Sequence, residues 1–207
     1  MAKLQPLQQD ETPQREPVSI SDRAADNLKF IRETMERSTH FTAVPGYGGM
    51  LMGATAIVAA YIALQQVTLR DRLIVWLTEA CLAFAIGLLA MWQKSKIAKT
   101  SLFSAPARKF AFGFAPSLIA GVVITLGLWR FEHYEMMAPA WMLLYGAAVV
   151  TGGAFSVRIV PLMGWMFIAL GAIAIALPPG YGNYLMGLSF GLLHIIFGAI
   201  IAKRYGG

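Results

Sequence analysis

The chain has 207 residues, 57% of them hydrophobic and only 14% charged, a balance that excludes an ordinary soluble domain and indicates an integral membrane protein. Its formal net charge of +6 does not point to nucleic acid, because the cations flank apolar stretches and no basic run interleaved with aromatics forms a separate soluble face. The single cysteine, Cys81, cannot close an intrachain disulfide; lying in an apolar stretch, it reads as a small buried hydrophobe.

Residues 1–18 are polar and rich in Gln and Pro, lack the apolar core of a secretory signal, and are expected to form a disordered cytoplasmic tail. Residues 19–40 predict an amphipathic helix, with Ser19 or Ser21 as cap and Asp22 in the first turn. Ile20, Ala24, Leu28, Ile31 and Met35 recur at intervals of three and four and make one apolar stripe. The opposite face carries Arg23, Asp26, Lys29, Arg32, Glu33, Glu36 and Arg37, a mixture that favours packing or self-association over binding to lipid headgroups.

Pro45, Gly46, Gly48 and Gly49 end that helix, and residues 44–204 form the membrane domain. Six apolar stretches follow, at about 47–65, 73–93, 110–129, 139–155, 159–177 and 184–202, read as membrane spans, of which 73–93 is clearly long enough to cross a ~30 Å hydrocarbon core. Pro116 stands near the start of the third and offers a kink, while Pro139 suits the first turn of the fourth. All connections are short. With the N-terminus inside, the inner segments hold 14 Lys and Arg and the outer loops three (Arg70, Arg72 and Arg130), so both termini are expected in the cytoplasm. Three spans in each half would make any internal repeat inverted, but no matching residue pattern supports one.

Function is sought in the polar residues at membrane depth. Counted from the expected span ends, Glu79 and Tyr145 lie ~9 Å deep and His194 ~15 Å, with Ser189, Thr125 and Tyr61 at ~6–8 Å. A carboxyl and an imidazole in hydrocarbon are costly, and such groups are often functional. Glu79, His194, Tyr145, Ser189 and Tyr61 are therefore the candidate ligand- or ion-binding residues, all in the outer half. The bland alternative for Glu79 is a hydrogen-bonded carboxyl that fixes helix packing, and for His194 a packed core histidine. Arg158 belongs to an inner turn, ~20 Å from Glu79 in depth, and reads as an interfacial anchor. Trp76, Trp92, Trp129 and Trp141 read as interfacial anchors too. Gly164, Gly171, Gly187, Gly191 and Gly198 mark faces where another helix, within the chain or in a second copy, can approach closely.

No phosphate loop, Ser/His/Asp set or HExxH occurs, so no catalytic residue, cofactor or metal is expected. In TAVPGYGGMLMG and TGGAFSVRIVPLMG the chain resembles a group of small bacterial integral membrane proteins with six spans. That resemblance runs from Ser19 onward and implies the bacterial inner membrane, but it transfers no functional residue. The expectation is an all-α, six-span membrane bundle with an N-terminal cytoplasmic amphipathic helix. Its foremost functional reading is a non-enzymatic accessory or regulatory protein that associates with itself or with a membrane complex. The alternative is a small transporter or ion-coupled permease built around Glu79 and His194.

Overall fold

The computed structural model describes residues 20–38, 41–98 and 101–206. The tail expected over 1–18 and the capping roles of Ser19 and Ser21 lie outside what is described. Two compact units result, one within Met1–Ser38 and one within Thr39–Gly207. The first contains the helix α1 (Ile20–Ser38), on which Leu28, Ile31 and Met35 are exposed.

The second unit is an all-α bundle with six helical stretches long and apolar enough to cross a membrane. Four of them are the single helices α2 (Gly46–Leu64), α3 (Leu69–Ile97), α4 (Ala105–Arg130) and α6 (Ile159–Ala176). A 3-10 turn, Tyr134–Met136, leads into α5 (Met137–Gly153) to make another. The last span begins with a 3-10 turn, Pro179–Tyr181, and continues as α7 (Gly182–Met186), a π-helical segment Gly187–Leu193, and α8 (His194–Tyr205). Among the described residues the extended structure amounts to one isolated bridge, between Phe41 and Ser156.

Several boundaries differ from those expected, for local reasons. The Thr68 side chain accepts from Asp71 N and starts α3 four residues early. The same helix carries on through Lys94 and Lys96, where a loop was expected, and its 29 residues span ~44 Å. The Ser104 hydroxyl accepts from Ala107 N, and Pro106 sits in the first turn, so α4 begins at Ala105 rather than near 110. Pro116 consequently lies in the middle of α4, not near its start.

Helices meet through glycine. A Cβ on Gly53 would stand 2.5 Å from Gly191 O, one on Gly198 would stand 2.7 Å from Gly46 O, and one on Gly46 would strike the Ala202 backbone at 2.4 Å. These contacts join α2 to the last span. Gly146 and Gly164 do the same for α5 and α6, each Cβ position 2.7–2.8 Å from the other's carbonyl oxygen. Gly113 and Gly152 bring α4 onto α5. In hydrocarbon there is no hydrophobic drive between helices, so this close approach supplies the van der Waals contact that holds them.

Two groups of three spans result. In one, α2 lies between α3 and the last span; in the other, α5 lies between α6 and α4. Exchanging the first, second and third spans for the fourth, fifth and sixth reproduces this set of neighbours. Because each half has an odd number of spans, the relation is an inverted one. The third span of each half also has a distinctive residue or segment near its middle: Pro116, which supplies no N–H to the otherwise continuous α4, and the π-helical Gly187–Leu193 of the last span.

One end of the bundle is stitched shut. Phe41 N donates to Phe155 O (2.8 Å), Ser156 Oγ donates to Phe41 O (2.7 Å), and the Phe41 ring packs 5.0 Å from that of Phe110. Beside this strap the buried Lys94 ammonium donates to Val44 O (2.9 Å) and to Gly206 O, tying α3 to the start of α2 and the end of α8. At the other end a shallow cavity of about 50 Å³ opens between α3, the Tyr134–Met136 turn, α5 and the last span.

Substitution at the glycine contacts should loosen the helix pairs within each group. Gly164→Val places a side chain against Gly146 O and Val150 N and is expected to cost ~1–3 kcal/mol. Gly127→Ala, with nothing within 4 Å, should leave stability unchanged or slightly improved. Thermal unfolding in detergent micelles compares them, and equal behaviour of the two variants would contradict the packing described.

Candidate functional site

The seam between the two groups is filled by rings. Tyr145 from α5 and Phe167 from α6 face Phe190 and His194 from the last span, with ring centroids 4.9–5.5 Å apart in the four pairings across the seam. The last of those pairings, Phe167 against His194, is edge-on at 78°, a favoured geometry for aromatic rings. Phe114 of α4 packs edge-on to Tyr145 at 6.0 Å, and Trp76 of α3 lies 6.5 Å from Phe190.

Among these rings sits one hydrogen bond that crosses from group to group, Tyr145 Oη to His194 Nε2 at 2.8 Å. His194 is buried, and its other ring nitrogen, Nδ1, makes no hydrogen bond of ordinary geometry, with the backbone of Ser189 and Phe190 as its polar neighbours. An unsatisfied buried polar atom costs ~1–3 kcal/mol, so its retention calls for an explanation. The local backbone is unusual at the same place. A π-helical segment, of the kind frequently found at functional sites, ends at the residue before His194. It presents Phe190 and His194 together to the same pair of rings. Ser189, fully buried, donates from Oγ to Met186 O (3.3 Å) inside that segment.

Glu79 forms a second, separate pair. It is buried on α3, and its Oε1 lies 2.8 Å from Thr55 Oγ1 on α2. Thr55 Oγ1 also lies 2.9 Å from Met52 O. One hydroxyl proton cannot serve both acceptors, so the two bonds coexist when the carboxyl carries a proton of its own. Counted from Leu69, Glu79 is ~15 Å deep, at mid-bundle and level with Thr55, rather than ~9 Å as expected from a start at 73.

The five residues singled out from the sequence are therefore distributed unevenly. His194 and Tyr145 are joined directly, and Ser189 lies in the turn that leads to His194. Glu79 is paired with Thr55 and not with His194. Tyr61 is 68% exposed on the surface of α2 and stands apart. Two other expectations are corrected. Cys81 is exposed, because α3 packs on α2 through Glu79, Gly87 and Trp76 while Cys81 faces away. Trp76 is buried, not an interfacial anchor, with Nε1 donating to Asn183 Oδ1 (3.0 Å).

Missed from the sequence were Thr55, Phe167 and Phe190. Thr55 had a usable signal, as a lone threonine among Ala, Gly and Val at the depth of Glu79. The two phenylalanines had none, since apolar rings in apolar spans carry no distinguishing mark. Among the described residues no three His, Cys, Asp or Glu side chains gather as a metal-ligand set. What the arrangement offers chemically is a buried imidazole aligned by a tyrosine, with one nitrogen short of a well-formed hydrogen bond, in a seam between two packed groups of helices.

Fold and site together define an all-α bundle of six membrane-length helices with a His–Tyr pair, its histidine buried, between two three-span groups. Comparisons with protein families, with curated proteins and with solved structures find no match to this chain.

The two polar pairs can be separated by substitution. Glu79→Gln keeps a donor toward Thr55 and is expected to hold stability within ~1 kcal/mol, whereas Thr55→Val strands the carboxyl and costs ~1–2 kcal/mol. Denaturant unfolding in micelles reads both, and equal losses would contradict the pairing.

Proposed function

We propose that the protein is a small multi-pass carrier of the bacterial inner membrane. Its solute passes along the seam between the two three-span groups, with His194 and Tyr145 as the polar point on the way. The observation that carries this reading is the Tyr145–His194 hydrogen bond across the seam, made by a buried imidazole whose Nδ1 has no hydrogen bond of ordinary geometry. A structural histidine gains from satisfying both nitrogens; one held open at a π-helical segment suits a group that must bind and release. The inverted relation of the halves is an arrangement known from carriers that open alternately to the two sides. The excess of Lys and Arg in the segments of the strapped end supports placing that end in the cytoplasm and the cavity end outside. The strap then closes the inner side while the outer side has an opening.

The accessory reading remains as a second possibility on one observation, the exposed Leu28, Ile31 and Met35 of α1, which suit association with another helix. Its other support has weakened. The glycines that could have lined a homodimer face are occupied inside the bundle.

A panel of small solutes tested by thermal shift on the protein in micelles discriminates between the two. A carried solute at a hundredfold excess over Kd stabilises by ~2.7 kcal/mol. The expected result is a shift of a few degrees for one solute class with the native chain, absent in His194→Leu, and uptake of that solute into proteoliposomes. A panel without any shift, or uptake indifferent to His194→Leu, would remove the carrier reading.

A further inference from the structure

The cavity at the unstrapped end has walls of a particular chemistry. Arg72 comes from the first turn of α3, Glu135 and Tyr134 from the 3-10 turn before α5, Trp76 and Trp141 from deeper in α3 and α5, and Asn183 from the last span. Acid and base are both present, yet they do not pair with each other. Arg72 Nε donates to Gln66 O (3.1 Å), which fixes the guanidinium and leaves its two terminal NH₂ groups. Glu135 Oε1 instead lies 3.7 Å from Nδ1 of the exposed His133.

The other walls are fixed as well. Trp76 Nε1 is bound to Asn183 Oδ1 and Trp141 Nε1 to Thr125 Oγ1 (2.7 Å), so both indoles offer ring surface rather than N–H to a ligand. Asn183, its oxygen taken by Trp76, has its amide NH₂ left to donate. Donors for an anion therefore lie with Arg72 and Asn183. A carboxylate and aromatic surface, the two features that attract an ammonium group, lie with Glu135 and the tryptophans. A ligand of one charge would satisfy one wall and leave the other facing a like charge.

From this we infer that the cavity binds a small zwitterion carrying a primary ammonium group and an anionic group, a few heavy atoms apart. The inference rests on the carrier reading for the ligand's onward passage, since the cavity floor, Trp76 and Met186, adjoins Phe190 and through it His194. Binding itself stands apart from that reading. The same chemistry occurs in a free solute and in the headgroup of phosphatidylethanolamine, and the cavity lies where either can reach it.

The test uses the full chain in phosphatidylcholine nanodiscs, which expose both faces, and reads tryptophan emission. Dissolved phosphoethanolamine is one probe, and replacement of part of the disc lipid by phosphatidylethanolamine is the other. The expected result is a saturable emission change from at least one probe, weakened tenfold or more in Arg72→Gln and in Glu135→Gln, and lost in Trp76→Phe or Trp141→Phe. Ethanolamine and inorganic phosphate, each alone, should bind at least tenfold more weakly than phosphoethanolamine. A response to the dissolved probe identifies a solute, and a response confined to the lipid identifies a headgroup. Arg72→Lys, which keeps the charge without the fork, should retain part of the binding and guards against misreading a folding defect. Silence from both probes, or variants that respond like the native chain, overturns the inference. A thermal shift from some other solute class, lost in His194→Leu, would in that case leave the carrier reading in place.

Discussion

The approach of one peptide backbone to another, with no side chain between them, is the constraint on which this bundle depends. Water drives apolar surfaces together, but lipid does not, and helices in hydrocarbon keep only the attraction of atoms that touch. Gly46, Gly53, Gly191 and Gly198 bring α2 and the last span to backbone distance, and Gly146 and Gly164 do so for α5 and α6. Each pairing produces one side of a three-span group. The outward faces of the same helices, such as Ile119, Val122 and Val123 on α4, are left exposed, as surface facing acyl chains should be.

Where the two groups meet, the chemistry changes from glycine to rings. Aromatic side chains bridge a wider gap than glycine faces can, and ring-on-ring packing tolerates small shifts in angle better than interlocked backbones do. The polar atoms follow the same division. Thr55 and Glu79 satisfy each other inside one group, where nothing needs to move. Tyr145 and His194 join different groups, and there a nitrogen is left over. The rigid parts are saturated and the junction is not.

Much of this architecture is legible in the chain itself. Six apolar stretches, their order and the turns between them follow from hydropathy, Pro and Gly alone, and so does the choice of His194 and Tyr145 as polar residues at membrane depth. Boundaries were less legible, and depth suffered with them. Thr68 and Ser104 extend α3 and α4 past the apolar stretches by capping polar turns, which moved Glu79 to mid-bundle and Pro116 to mid-helix. Neighbour relations were not legible. Cys81 and Trp76 are both in an apolar run, and only the direction of the α2 contact decides that one is exposed and the other buried. The likeness of the halves escaped notice for a related reason. It resides in which helix packs on which, while the residues making equivalent contacts differ: one third span holds a proline within a continuous helix and the other a π-helical segment.

The pairing of α2 with the last span has a consequence for how the molecule is made. Ribosomes deliver spans in order, and α4, α5 and α6 emerge consecutively, so that group is complete as soon as α6 has entered the bilayer. The other group is not. Its first two helices wait with a bare glycine face, and with Lys94 lacking one of its two carbonyl partners, until α8 arrives more than a hundred residues later. During that interval the finished half stands beside an unfinished one. The aromatic seam, to which the last span contributes Phe190 and His194, is then the final surface to form, so the bundle closes around the buried imidazole of His194 as its closing step of assembly.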